Sequence, residues 1–197
     1  MSKKGWFYTG FFILLTIVFY LVVKKYLVSN NSISVVQPFV FTNQDGKKVT
    51  DKDLEGKVYV AEFFFTTCPG ICPIMNNNMR KVYDNLKGEK DFAILSYTCD
   101  PKNDSAAQLK KYADSMGVNT QQWIFLTGRK DSLYTMARTS YMIDDPANNL
   151  KNIDDDFLHT QHWALVNKKG EVKDIYDGLK ESEVSALIAK ARKLLNE

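Results

Sequence analysis

An uninterrupted apolar segment near the N-terminus is the first feature of the hydrophobic pattern. Residues 6–23 (WFYTGFFILLTIVFYLVV) carry no charged side chain, and a pair of lysines flanks them on each side. A helix of 18 residues rises about 27 Å, which is close to the ~30 Å hydrocarbon thickness of a membrane. No small-residue cleavage site follows the segment. It therefore predicts an uncleaved membrane anchor within residues 1–26 and not a signal peptide.

The charges beside the anchor bear on its orientation. The N-terminal amine, Lys3 and Lys4 precede the apolar segment, and Lys24 and Lys25 follow it. The side of a membrane segment with more positive charge is retained in the cytoplasm. By a small margin, this favours an internal N-terminus and an external C-terminal domain. The lack of arginine and the early start of the apolar run are unlike a mitochondrial presequence. We therefore expect a single-pass protein of a bacterial inner membrane, with its domain facing the periplasm or exterior.

After the anchor, short apolar runs alternate with amphipathic stretches. Residues 27–37 are polar and predict a linker. Lys57–Phe65 (KVYVAEFFF) and Phe92–Tyr97 read as apolar, β-branched and aromatic runs, which predict strands buried on both faces. Apolar residues then recur at helical spacing after each strand, from Met75 to Leu86 and from Leu109 to Met116, which predicts two helices.

The remaining pattern completes an α/β domain. A hairpin turn is predicted at Asp45-Gly46, and the polar segment 138–158 is predicted to be a long loop. The later elements are a strand at 123–126, a helix that begins at 133, a hairpin of 163–166 with 172–176, and a helix at 182–195. This is the order of elements in thioredoxin-like domains, so residues 38–197 predict a mixed sheet flanked by helices.

Composition and charge exclude some functions. A chain of 197 residues with 45% hydrophobic and 25% charged residues suits one globular domain with a short appendage. The formal net charge is +3, and the four lysines of the first 25 residues account for more than all of it. The rest of the chain is nearly neutral and has no basic stripe with interleaved aromatic residues. We therefore expect no nucleic-acid partner.

Two cysteines lie between the predicted strand at 57–65 and the helix that follows it. Thiols at a helix N-terminus have a lowered pKa and favour thiolate, the form that binds metal or attacks a disulfide. The separation of Cys68 and Cys72 allows both sulfurs to reach one ion or to join as a disulfide. A permanent structural disulfide is the alternative in an exported domain, but a bridge closing so small a loop stabilises a fold little. The position favours a reactive pair.

A third metal ligand must come from elsewhere in the chain. The sequence has two histidines, His159 and His162, and both precede the predicted strand at 163–166. In a thioredoxin-like sheet this segment approaches the loop that carries the cysteines. A histidine is more often an ordinary surface or core residue than a ligand, so the residues alone leave both candidates open.

Three stretches together resemble a known family. FFFTTCPGICP (63–73) resembles its F-x-F-T-x-C-P-x-x-C-P signature, and TCDPKND (98–104) is similar to its Asp-Pro segment. HTQHWALVNKKG (159–170) resembles its late histidine, strand and turn. Over roughly residues 37–195 the chain is similar to the Sco/SenC copper chaperones, which help to assemble cytochrome c oxidase.

The resemblance implies a cargo, a site and partners. It implies that copper, as Cu(I) and Cu(II), is held by Cys68, Cys72 and His159, with His162 as the second choice. Two thiolates are soft ligands that select Cu(I), and an imidazole also accepts Cu(II). The implied partners are an upstream copper donor and the copper-bearing subunit of an oxidase, whose dinuclear centre would receive the metal.

The chain departs from the family pattern at two positions. Cys99 stands where the family has an aliphatic residue, and we interpret it as a small buried hydrophobe. The alternative is an extra thiol that resolves a mixed disulfide. Leu158 replaces the acidic residue before the histidine, so no carboxylate lies directly beside it to orient the imidazole; Asp154, Asp155 and Asp156 lie just upstream.

Other functions of the same cysteines compete with copper delivery. One is a membrane-anchored thiol–disulfide oxidoreductase that keeps the cysteines of an oxidase subunit or other exported proteins reduced, and another is a redox or copper sensor. The C-x-x-x-C spacing differs from the C-x-x-C of thioredoxins, and no proline precedes the strand at 163. Both features favour copper binding over a classical enzyme, and thiol–disulfide exchange is the one enzymatic activity left open.

Overall fold

A computed structural model describes residues 3–29, 32–144, 157–158 and 160–197 of the chain. The chain divides into an N-terminal unit that ends at Ser32 and a compact domain, Ile33–Glu197. The N-terminal unit contains helix α1 (Lys3–Ser29). Within the described part of the chain, its segment Gly5–Val23 is the one helix long and apolar enough to cross a membrane. The predicted apolar helix is therefore present, and its insertion in a membrane remains a prediction.

The domain is built on one eight-stranded sheet with helices on both faces. Its strands are β1 (Ser34–Val35), β2 (Val40–Asn43), β3 (Lys48–Thr50), β4 (Val58–Phe64), β5 (Phe92–Thr98), β6 (Trp123–Thr127), β7 (His162–Val166) and β8 (Glu171–Asp177). Its helices are α2 (Cys72–Leu86), α3 (Ala106–Met116), α4 (Lys130–Thr135) and α5 (Glu181–Leu195). A 3₁₀ turn, Asp51–Leu54, follows β3, and a π-helical turn, Met136–Ser140, follows α4.

The sheet is mixed, as the pattern predicted. The strand order is β1-β8-β7-β4-β5-β6-β2-β3. Strands β4, β5 and β6 are parallel, whereas β7 is antiparallel to β4 and β8 to β7. Every residue of β4 and β5 is buried, as expected for central strands covered on both faces. The predicted hairpins, β2–β3 and β7–β8, are both present.

Alternating side chains of the central strands pack into two separate hydrophobic cores, one on each face of the sheet. On one face, Val60 and Phe64 of β4 pack with Met79 of α2, Leu109 of α3 and Leu187 of α5. We call this the α2 face. On the other face, Tyr59, Ala61 and Phe63 pack with side chains that include Leu133 of α4 and Tyr141. We call this the α4 face. The period-2 alternation of a strand produces this division.

The segment predicted to be a linker at 27–37 contains part of the domain. Strand β1 lies within it, pairing Ser34 with Val172 and Val35 with Glu171 of β8. The sheet unit accordingly begins at Ile33. An edge strand of two residues is too short to show an alternating pattern, and its hydrogen bonds depend on a partner that is distant in sequence.

The predicted loop at 138–158 is ordered at both ends. Its first residues belong to the π-helical turn, and Tyr141, Ile143 and Leu158 are buried on the α4 face. Arg138 and Asp144 form an ion pair of 2.8 Å with both side chains 9% exposed. Arg138 and Asp144, which the sequence pattern assigned to a loop, are therefore part of the packed structure. Residues 145–156, which include Asp154–Asp156, lie outside the described residues.

The glycine that follows β8 allows a fully buried tryptophan to pack. A Cβ at Gly178 would lie 2.4 Å from Cε2 of Trp163, and Trp163 is 0% exposed. Gly178→Ala therefore forces the indole or the strand to shift, and we expect it to lower the free energy of unfolding by about 2 kcal/mol. Urea unfolding measures this loss. Gly88→Ala is the control, because a Cβ there meets nothing within 4 Å; equal unfolding midpoints for the two variants would contradict the prediction.

Candidate metal centre

The loop that carries Cys68 is anchored by a buried aspartate. The chain leaves β4 at Phe64, and Thr66 donates both its N–H and its hydroxyl to the Asp104 carboxyl group, at 3.1 and 2.5 Å. The Thr98 hydroxyl, at the end of β5, donates to the same group at 2.6 Å. Asp104 is 1% exposed. It therefore ties the ends of two neighbouring parallel strands to one another immediately before Cys68.

Cys68 and Cys72 come together at the start of α2. Cys72 is the first residue of the helix and Pro73 occupies its first turn, while no side chain caps the helix. The N–H groups of Gly70, Ile71 and Cys72 hydrogen-bond to the Cys68 sulfur. A strand end that leads directly into a helix N-terminus thus aims unpaired backbone donors at one thiol.

The two thiols differ in how readily they ionise. Partial burial opposes ionisation of Cys68, but hydrogen bonds from the Cys72 thiol and from the backbone outweigh it and lower the pKa of Cys68. Burial, followed by donation of its proton to Cys68, raises the pKa of Cys72 to about 12. Both cysteines are free thiols, Cys68 partly exposed and Cys72 buried. Cys68, the more exposed of the two, therefore ionises more readily than Cys72.

His159, the predicted third ligand, lies outside the described residues. The residues on either side of it are held by contacts to the domain. The Phe157 ring packs edge-on against Phe65 with centroids 5.1 Å apart, and the Leu158 N–H donates to the Tyr134 hydroxyl at 3.1 Å. The Thr160 hydroxyl donates to the Ile143 carbonyl oxygen at 2.6 Å.

The first of these contacts links the histidine segment with the cysteine loop. The Phe65 carbonyl oxygen accepts a hydrogen bond from the Cys68 N–H at 3.3 Å. Phe157, which precedes His159, therefore contacts Phe65, and Phe65 accepts a hydrogen bond from the cysteine loop. The prediction that the two regions approach each other follows from the pairing of β7 with β4, in which Ala164 lies opposite Ala61.

His162, the second candidate, opens strand β7 with an exposed side chain. Its Nδ1 lies 3.5 Å from the Thr160 hydroxyl oxygen, and its N–H donates to the same atom at 3.2 Å. No group of three or more His, Cys, Asp and Glu side chains within the described ranges is arranged to hold a metal ion. Of the described candidates, the structure brings together the two cysteines and does not add His162 to them.

Cys99 is a buried residue on the opposite face of the sheet. It belongs to the core of the α4 face, whereas Cys72 belongs to that of the α2 face. Its N–H donates to the Phe64 carbonyl oxygen at 2.7 Å, and its own carbonyl oxygen accepts from the Tyr134 hydroxyl at 2.9 Å. Burial, with the nearby negative groups, raises the pKa of this thiol well above its usual value. This supports the interpretation of Cys99 as a small buried hydrophobe.

Sequence reasoning missed two residues that organise the site. Tyr134 bridges Cys99 and Leu158 through its hydroxyl, and nothing in the sequence marked it. Asp104 stood inside the stretch TCDPKND, which resembles the family's Asp-Pro segment, but its hydrogen bonds to Thr66 could not be read from that resemblance. In each case the contact joins elements that are distant along the chain.

With the site described, comparison with known proteins defines the class. Residues 28–196 match the family model SCO1/SenC, and the chain belongs to this family. It is 35% identical to the SCO1 protein homolog of Bacillus subtilis over 158 residues, which are 78% of this chain and 79% of that one.

Solved structures confirm the fold. BsSco, described as a member of the Sco family of cytochrome c oxidase assembly proteins with a disulfide switch, superposes with a TM-score of 0.70 at 32% identity, covering 84% of this chain and 96% of BsSco. Arabidopsis thaliana ScoI with copper bound superposes with a TM-score of 0.64 at 27% identity, covering 83% of this chain and 99% of ScoI. The predicted thioredoxin-like α/β fold and the predicted family are thereby both confirmed.

Proposed function

We propose that this protein binds one copper ion through Cys68, Cys72 and His159 and delivers it to the copper-bearing subunit of a cytochrome c oxidase during assembly. The observation that carries the proposal is the pair of free thiols at the start of α2, where backbone N–H groups hydrogen-bond to the Cys68 sulfur. Related proteins support it, because BsSco belongs to a family of oxidase assembly proteins and the similar plant ScoI holds copper.

The chemistry of the pair suits copper as a cargo. Thiolate sulfur is soft and selects Cu(I), and a cation near Cys68 favours loss of the Cys72 proton because ligands must be deprotonated to bind metal. An imidazole adds a ligand that Cu(II) accepts. A set of three protein ligands leaves coordination positions through which a partner can give or take the ion.

His159 is the better third ligand of the two histidines. Its neighbour Leu158 is tied to Tyr134, and Phe157 lies against Phe65 at the base of the cysteine loop. His162 is two residues into the ordered start of β7 with its side chain exposed. The spacing from His159 to Gly170 also follows the family pattern.

The N-terminal helix gives the proposed place of action. Helix α1 would anchor the protein in a bacterial inner membrane, with the domain on the periplasmic or exterior side. Copper would reach the domain from an upstream donor and leave for the oxidase subunit, both on that side of the membrane. Two lysines lie on each side of the apolar segment, so the margin in positive charge that favours this orientation is the N-terminal amine. A protease-protection assay tests the orientation.

Copper loading tests the proposal directly. In the reduced full-length chain in detergent, we expect one tightly bound Cu(I), and with Cu(II) a thiolate-to-copper charge-transfer band. Cys68→Ser or Cys72→Ser should abolish the band and at least most of the Cu(I) binding, because each removes one of two soft ligands. Cys99→Ser is the matched control and should bind both ions as the parent does. Loss of copper binding in the Cys99 variant, or its retention without Cys68, would contradict the site.

A thiol–disulfide oxidoreductase is the second candidate function. The observation that favours it is the difference between a partly exposed Cys68, whose pKa is lowered by backbone hydrogen bonds, and a buried Cys72, which also suits attack on a disulfide. The disulfide switch described for BsSco is consistent with redox chemistry in the family. A chain that binds no copper but rapidly reduces a peptide disulfide would establish this function in place of copper delivery.

A further inference from the structure

One buried hydroxyl group joins the segment beside His159 to the end of β5. The Tyr134 hydroxyl donates to the Cys99 carbonyl oxygen at 2.9 Å and accepts a hydrogen bond from the Leu158 N–H at 3.1 Å. Tyr134 is 1% exposed and Leu158 is 2% exposed. Because one backbone group needs a donor and the other an acceptor, a single side chain can satisfy both only if it donates and accepts, as a phenol does.

The bridge continues to the strand that leads into the cysteine loop. The Cys99 N–H donates to the carbonyl oxygen of Phe64 at 2.7 Å, and Phe64 is the last residue of β4, four positions before Cys68. Consecutive hydrogen bonds through the backbone of Cys99 and the hydroxyl of Tyr134 therefore connect the end of β4 with Leu158.

The ring of Tyr134 is itself held in place. Nζ of Lys130 lies 5.3 Å from the ring centroid and Cζ of Arg138 lies 5.5 Å from it, distances at which a cation is attracted to an aromatic face. Arg138 is fixed in turn by its ion pair with Asp144 at 2.8 Å. The phenol is consequently oriented by its surroundings and not only by the two backbone groups that it bridges.

The residue after His159 is also hydrogen-bonded to the domain. The Thr160 hydroxyl donates to the Ile143 carbonyl oxygen at 2.6 Å. Consecutive Cα atoms of a chain lie about 3.8 Å apart, so contacts on both sides of a residue restrict its backbone. Leu158 has no polar side chain with which to orient an adjacent imidazole, so its contribution is made by its backbone N–H.

We propose that Tyr134 is a positioning residue for the histidine ligand: its hydroxyl fixes the backbone beside His159 relative to the cysteine loop and thereby favours the binding of Cu(II). The inference rests on the proposed function, in which His159 completes the site of Cys68 and Cys72. Two thiolates satisfy Cu(I), whereas Cu(II) depends more on nitrogen ligands. A displaced imidazole therefore weakens the binding of Cu(II) more than that of Cu(I).

Removal of the hydroxyl leaves two buried backbone groups without this partner. In Tyr134→Phe, the Leu158 N–H and the Cys99 carbonyl oxygen both lose a hydrogen bond. An unsatisfied buried N–H is unfavourable, so we expect the segment around Leu158 to shift until its N–H finds another acceptor. The cysteine loop is held separately, by the hydrogen bonds from Thr66 to Asp104, and should keep its position.

Copper affinities of Tyr134→Phe test the proposal in the full-length chain in detergent. Competition with chelators of known affinity should show Cu(II) binding weakened about tenfold, the lower end of the cost of losing a group that orients a ligand. Cu(I) binding should weaken by less than about twofold, because both thiolates remain.

Tyr97→Phe is the matched control. Its hydroxyl is buried on the same face of the sheet and pairs with the Tyr141 hydroxyl at 2.7 Å, and not with the segment around Leu158. This variant also loses one buried hydroxyl, and we expect it to bind both ions as the parent does. The proposal is overturned by an equal loss of Cu(II) affinity in Tyr97→Phe, or by equal proportional losses for Cu(I) and Cu(II) in Tyr134→Phe.

Comparison with His159→Ala separates this inference from the proposed function. If His159→Ala weakens Cu(II) binding and Tyr134→Phe does not, the positioning role is overturned and the ligand assignment stands. If His159→Ala leaves Cu(II) binding unchanged, the ligand assignment is overturned and the positioning role with it.

A measurement without copper tests the hydrogen bond itself. Exchange of the Leu158 N–H with deuterated solvent is followed by NMR in the metal-free chain. We expect this amide to be protected in the parent and in Tyr97→Phe, and to exchange at least about tenfold faster in Tyr134→Phe, because its buried acceptor is gone. Rapid exchange in the parent, or unchanged protection in Tyr134→Phe, overturns the proposal whatever the copper affinities are.

Discussion

His159→Ala will weaken Cu(II) binding by about 100-fold or more, while Cu(I) binding falls much less. Two thiolates satisfy Cu(I), whereas Cu(II) depends more on nitrogen ligands and higher coordination. Changes even to groups that only orient a metal ligand cost 10–100-fold in affinity, so loss of a ligand should cost at least as much. Competition with a chelator of known affinity measures both ions, and the charge-transfer band should weaken in parallel.

His162→Ala is the matched control for this prediction. The side chain of His162 is exposed at the start of β7, and its Nδ1 lies 3.5 Å from the Thr160 hydroxyl oxygen. We expect this variant to bind both copper ions as the parent does. A larger effect of His162→Ala than of His159→Ala would move the ligand to position 162. If neither variant changed Cu(II) affinity, the site would hold no histidine.

The central fold could be predicted because its strands are covered on both faces. Strands β4 and β5 are predominantly apolar, and every residue of each is buried. Strand β1 could not be predicted in this way, because it consists of two residues at the sheet edge and its pairing with β8 is a long-range event. The π-helical turn at Met136–Ser140 was likewise hidden among polar residues that the fold partly buries.

The site was predictable in its residue types but not in its electrostatics. The spacing of Cys68 and Cys72 indicated a reactive pair, and the structure adds which of the two ionises more readily. The stretch KVYVAEFFF was read as an apolar run although Glu62 stands inside it. A charged residue in a strand buried on both faces was therefore a visible signal. Its hydrogen-bond partner, the Ser96 hydroxyl on β5, could be known only from the register of the sheet.

Asp104→Ala will lower the free energy of unfolding by about 3 kcal/mol. The substitution leaves the Thr66 N–H and the hydroxyls of Thr66 and Thr98 without their acceptor, and each unsatisfied buried donor costs roughly 1–3 kcal/mol. Some of this loss is recovered as the loop relaxes towards solvent. Urea unfolding measures the change. Asp104→Asn should lose less, because its amide oxygen keeps part of the network.

Asp114→Ala is the control on the neighbouring helix. Asp114 pairs with Lys110 at 3.1 Å on the surface, and removal of such a pair costs at most about 0.5 kcal/mol. If Asp104→Ala lost no more stability than this, the carboxyl group would not anchor the loop.

The same variant should also change the chemistry of Cys68. The Gly70, Ile71 and Cys72 N–H groups stabilise the Cys68 thiolate only while the loop before it is fixed, and Asp104 fixes that loop through Thr66. In Asp104→Ala, the pH at which Cys68 becomes half-reactive towards iodoacetamide should therefore rise towards that of a free thiol. Asp114→Ala should leave it unchanged. A loss of stability without this shift would mean that Asp104 supports the fold but not the thiolate, and that α2 alone holds Cys68 in its reactive state.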